Sequence, residues 1–146
     1  MLLKWLVLMH VLGATVWVGG HLILSIGFLP IALKRKDIMI IKNFEKHYER
    51  VGIPALLIQV VSGIWMAMLY VPIQDWLSLA TVHHRLVWIK LTLLLGTIGL
   101  AVHVRFFIFP RLTNERLSLL ALHIITVTMV AVAFVITGLS FRFNFF

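Results

Sequence analysis

No cysteine occurs in the 146 residues. That absence rules out disulfides, thiolate metal sites, iron–sulfur clusters and covalent c-type haem attachment together, so any metal must be held by nitrogen, oxygen or thioether ligands. Charge is also scarce. Charged side chains make up 12% of the chain and carboxylates number five against thirteen Lys and Arg, while 62% of the residues are hydrophobic. Soluble domains carry about a quarter charged residues, so this composition, with a mean hydropathy of +1.06, is that of an integral membrane protein. The formal charge of +8 does not point to nucleic acid, because the basic residues flank apolar runs and do not interleave with a soluble aromatic surface. Prolines are four, and they stand near the ends of the runs.

The chain has room for about four spans of roughly 20 residues and no sizeable soluble domain besides. It predicts an all-α, antiparallel four-helix transmembrane bundle forming one domain over 1–146, with spans at about 2–33, 52–70, 83–109 and 117–141. The first run is longer than a signal-peptide core, and no small-residue cleavage site follows it, so it is expected to stay in the mature protein. Residues 34–50 read as a charged connector, helical at the interface, after which Gly52 and Pro54 open the second span. Pro110 closes the third. Small residues (Gly13, Gly19, Gly20, Gly63, Gly96, Gly99, Gly138) allow close helix approach.

Lysines and arginines orient the bundle. Lys34, Arg35, Lys36, Lys42, Lys46 and Arg50, with Arg105, Arg111 and Arg116, lie in two connecting regions; the opposite face has Lys4, Arg85 and Arg142. The positive-inside rule then puts both termini on the outer, periplasmic face of a bacterial inner membrane. Trp5, Trp65, Trp76 and Trp88 fall near the outer boundary as an aromatic belt.

Six of the seven histidines (His10, His21, His83, His84, His103 and His123) lie within or at the ends of the apolar runs, where an imidazole is costly and marks a functional site by default. Antiparallel packing sorts them by depth: His10, His83 and His84 in the outer half, His21, His103 and His123 in the inner half. His10 and His21 are eleven residues apart, about three full turns, so they share one helix face and are separated by about 16 Å. A single such histidine can simply hydrogen-bond across helices, whereas six in two depth groups favour metal, haem or proton chemistry. His10, His21, His103 and His123 are the candidate metal ligands. Facing imidazoles can clamp haem iron axially, which gives one or two haem b groups and electron transfer with a quinone or another redox protein. Lys90 and Arg85 would serve as cations for porphyrin propionates, although Lys90 can also snorkel outward. Oxidoreductase activity would follow from the haem reading. The alternative metal is copper, for which Met9, Met66 and Met68 add thioethers. The lipid bilayer is the expected partner, and association with further copies of the chain is compatible with the same reading.

Two stretches carry a resemblance. Leu12 to Leu22 reads LGATVWVGGHL, and the segment from His84 reads HRLVWIKLTLLLGTIGLAVHVRFFIFPRL. Together they resemble the copper-resistance protein D (CopD-like) membrane domain, with His10, Trp17 to Gly20, Arg85 to Lys90 and Pro110 to Leu112 at the matching positions. This resemblance implies a copper-binding or copper-transporting membrane protein. The outline is also similar to HemJ-type protoporphyrinogen oxidases, whose helix-one histidine and helix-three lysine correspond to His10 and Lys90, and that similarity implies haem binding. His21, Trp88 and His103 depart from the HemJ-type pattern.

Overall fold

The computed structural model describes residues 1–143. Four long helical rods account for nearly all of them: α1 over Leu2–Arg35, α2 over Met39–Tyr70, α3 over Val82–Arg111 and α4 over Asn114–Phe143. Among the described residues there is no strand. Each rod is long and apolar enough to cross a membrane, and the four make an all-helical bundle, as the composition predicts. At 1.5 Å per residue, α1 and α2 each approach about 50 Å, well beyond the ~30 Å hydrocarbon core. Lys34–Lys36 and Arg111–Arg116 gather at one end of the bundle, the basic end. The other end, with the N-terminus, the 71–81 connection and Phe143, is the terminal end.

Packing inverts the soluble pattern. Leu8, Val11, Ile26, Leu57, Val61, Leu95, Phe106 and Met129 lie on the outside, where lipid is their solvent. Inside, one apolar cluster sits toward the basic end, built from Leu24, Leu29, Ala32, Ile38, Ile41, Ile108, Leu117, Leu120, Ala121 and Ile124, and a second joins Trp17, Val18 and Ala131. Buried hydroxyls are satisfied on their own helices: Thr97, Thr128, Thr137 and Ser140 each donate to the carbonyl four residues back, as a chain without water must arrange.

Contact between α1 and α2 is the most intimate. A Cβ at Gly13 would stand 2.8 Å from the Ala55 carbonyl oxygen; one at Gly20 would collide with the Tyr48 ring; and one at Gly52 would come within 2.7 Å of Tyr48 Cε1. Gly13 thus lets the two backbones touch, and Gly20 and Gly52 let them close around one aromatic side chain.

Two departures from the sequence-based boundaries have physical causes. Residues 39–50 form no separate interfacial helix; they are the first turns of α2, and Pro54 lies inside it. Proline there removes one hydrogen bond, to the carbonyl of Arg50, and Arg50 is exposed. Secondly, α1 and α3 are not uniform. A π-segment interrupts α1 at Ile23–Phe28, and another follows His103 at Val104–Ile108. Each π-turn accommodates an extra residue without ending the rod. The α1–α2 connection is tight: Lys36 takes a left-handed conformation (φ 51°), Asp37 Oδ1 accepts from the Met39 N–H at 2.8 Å, and the Ile38 N–H donates to Asn114 Oδ1 at the start of α4.

Candidate functional site

The bundle separates its histidines into three settings. Nearest the basic end, His103 of α3 and His123 of α4 have ring centroids 6.1 Å apart with planes inclined at 33°, and the Phe107 ring stacks on His103 at 5.7 Å. His21 of α1 is close enough to His123 for the two to interact electrostatically. Its Nδ1–H donates to the Trp17 carbonyl at 2.8 Å, which leaves Nε2 with a free lone pair. Rings enclose it: Trp17 at 4.7 Å and Tyr48 edge-on at 6.0 Å. Tyr48 itself donates to the Trp17 and Val16 carbonyls, and the Thr128 hydroxyl reaches the His21 carbonyl. Helices α1, α2, α3 and α4 therefore all contribute to the surroundings of this group.

The second setting lies between α1 and α2. His10 Nδ1 is 2.9 Å from the Gln59 carbonyl oxygen and 3.1 Å from Ser62 Oγ, and the ring closes over Gly63, where a Cβ would stand 3.0 Å from Cε1. Ser62 also donates to Ile58 O at 2.6 Å. Lys90 of α3 lies within electrostatic range of this histidine. Its Nζ lies 5.3 Å from the Phe141 ring centre and would be 3.6 Å from a Cβ at Gly138, so the side chain turns into the α3–α4 seam. The Gln59 Oε1 is buried with no hydrogen-bond partner.

The third setting is the terminal end of α3. His83 stacks on Tyr70 of α2 at 6.1 Å and 12°, and sits 5.8 Å from Phe141 of α4. It lines a cleft of about 420 Å³ with Thr81, Val82, Leu86, Ser140, Phe141 and Arg142. His84 is engaged locally, its Nδ1 and backbone N–H both hydrogen-bonded to the capping hydroxyl of Thr81. Of the adjacent pair, His83 is therefore the one that faces neighbouring helices. Arg85 is exposed.

Of the residues singled out in the sequence, the structure brings His103 and His123 together and sets His21 near them. His10 is bonded to α2, and His83 and His84 are engaged elsewhere. Among the described residues, no group of three or more His, Cys, Asp or Glu is placed to hold a metal ion. Sequence reasoning missed Gln59 and Ser62 as the partners of His10, and Tyr48 as the residue buttressing Trp17 and His21. A signal for the first was present, since Gln59 and Ser62 are polar residues at i, i+3 within an apolar run and so share a face.

Residues 42–141, from the first turns of α2 to near the end of α4, match the family described as copper resistance protein D. The chain belongs to that family. Its His84–Leu112 stretch lies within the match, while Leu12–Leu22 on α1 lies outside it. No curated protein and no solved structure matches the chain. Family and fold together make this copper resistance protein D relative a multi-pass membrane protein, with His103 and His123 inside the matched region and His10 and His21 on the helix that precedes it.

Proposed function

We propose that this protein binds copper within the bilayer, with His103 and His123 as the ligands of one ion. The observation that carries the reading is their 6.1 Å ring separation on neighbouring helices. A metal–nitrogen bond of about 2.0 Å, plus roughly 1.1 Å from ring nitrogen to ring centre, puts two imidazoles on opposite sides of one atom about 6 Å apart. Zinc fills four tetrahedral positions. Cuprous ion is satisfied by two ligands, which suits a pair of histidines with no third ligand assembled beside them. Imidazole suits copper, and the family's description supports copper as the cargo. His21, with its free Nε2, stands as the next ligand along the bundle. The excess of Lys and Arg at the basic end supports a bacterial inner-membrane protein with that end in the cytoplasm and both termini outside.

A second reading has its own support. Axial ligation of haem b needs the same spacing between two imidazoles, and Trp17, Phe107 and Phe134 give the surroundings an aromatic, apolar character. Under this reading the protein would pass electrons to a quinone or another redox protein.

One preparation distinguishes the two. Purified protein is expected to retain about one copper per chain after exposure to cuprous ion, and His103→Ala or His123→Ala to lose it, while His47→Ala keeps it. A reducible Soret band abolished by the same two substitutions would establish haem instead. Copper retained by the His103→Ala/His123→Ala double variant would refute the ligand assignment.

A further inference from the structure

Beside the His21 setting, with which it shares Tyr48, a cleft of about 630 Å³ opens between α1 and α2 toward the basic end. Phe28 of α1 and Ile40, Phe44 and Tyr48 of α2 form its apolar walls, and Asn43 and His47 complete the lining. The walls brace one another: Phe44 lies 4.8 Å from Phe28 and stacks on Tyr48 at 5.5 Å and 21°. His47 Nδ1–H donates to the Asn43 carbonyl at 2.7 Å, so the polar side of the cleft is ordered as well.

Two cations follow Phe28 along α1 toward the basic end. The stretch Leu29–Arg35 is α-helical, and seven residues amount to two turns less about 20°, so Arg35 projects from the same face as Phe28, about 10 Å nearer the basic end. Lys36 follows at the turn that leads to Ile40. Both are exposed. Among the described residues the one ion pair joins Arg105 to Glu49, so neither Arg35 nor Lys36 has a carboxylate partner. An apolar cleft with two exposed, unpaired cations beyond it, on the side where the basic residues gather, complements an amphiphile with an anionic head. Basic pockets between transmembrane helices recognise acidic lipid headgroups in this way.

We propose that this cleft seats one anionic phospholipid, an acyl chain lying along Phe28, Phe44 and Tyr48 and the phosphate resting between Arg35 and Lys36. The site is independent of the copper reading.

Native mass spectrometry of the full chain, released from detergent holding equal amounts of phosphatidylglycerol and phosphatidylcholine with identical acyl chains, tests it. One retained lipid is expected, with phosphatidylglycerol favoured by about an order of magnitude, and Arg35→Gln/Lys36→Gln is expected to abolish most of that preference. Phe44→Ala should weaken retention of both lipids, and Lys4→Gln/Arg142→Gln, which removes the same charge at the other end, should leave the preference intact. The proposal is overturned if wild type shows no preference, if the preference survives Arg35→Gln/Lys36→Gln, or if Lys4→Gln/Arg142→Gln diminishes it equally. Displacement of the lipid by a short-chain quinone at equimolar concentration would also overturn it, and would identify the cleft as a quinone seat.

Discussion

Tyr48 shows how much a single side chain settles in this bundle. Its ring fills the notch left by Gly20 and Gly52, its hydroxyl bonds two carbonyls of α1, and its edge meets His21. Gly20→Ala should therefore evict the ring and destabilise the protein by about 1–3 kcal/mol, the range for overpacking, seen as a lower thermal midpoint in detergent. The coupling is diagnostic. If the two residues act through one contact, Gly20→Ala adds little on top of Tyr48→Ala; fully additive losses would mean that the alanine strains something else. Intramembrane histidines were legible in the sequence because an imidazole in an apolar run stands out. Tyr48 was not, since Phe44–Arg50 has the composition of a solvated segment, and only the three-dimensional closeness of Gly20 and Gly52, 32 positions apart in the chain, turns it inward. The same holds for the pairing of His10: depth along a helix follows from counting residues, but the partner helix does not.

At the scale of the element, four apolar runs translated directly into four rods, because length and hydropathy alone demand a helix in lipid. The irregularities did not translate. Pro54 reads as a helix start, yet α2 runs through it, and nothing in Ile23–Phe28 or Val104–Ile108 marks a π-turn, which is a product of packing on both sides and not of local preference. The π-segment in α1 makes a sharp prediction. Deleting the exposed Ile26 should remove the extra residue, convert the segment to α-helix and keep Leu29 and Ala32 in the core, whereas deleting Ile31, beyond the π-turn, should rotate Ala32 out of place. Monodispersity on size exclusion and the thermal midpoint distinguish the two: equal damage from both deletions would refute the interpretation of Ile23–Phe28 as an insertion.

Across the whole molecule, charge is distributed along one axis. Nine of the cations sit in 34–50 and 105–116, and Lys4, Arg85 and Arg142 sit toward the other end. With four spans the two termini share a side, and the charge bias predicts that side to be the periplasm. A phosphatase reporter fused to the C-terminus should be active and a fluorescent-protein reporter dark; the reverse pattern would invert the bundle and with it the direction in which the histidines would be met by an incoming ion. That His103 and His123 lie toward the basic end while His10 and His83 lie toward the other was readable from the spans alone; that they occupy three separate settings was not, because it depends on which helices pack side by side.

The single bond from the Ile38 N–H to Asn114 Oδ1 links positions 76 residues apart in the chain. During synthesis at roughly 5–20 residues per second, the ribosome needs about 4–15 s to deliver the acceptor after the donor has emerged. The leading helical hairpin must therefore wait, its turn hydrated at the membrane surface, until the last helix arrives to fasten it. Final closure of the bundle is an event of late translation, and the first half of the protein is held ready for a clasp that the second half supplies.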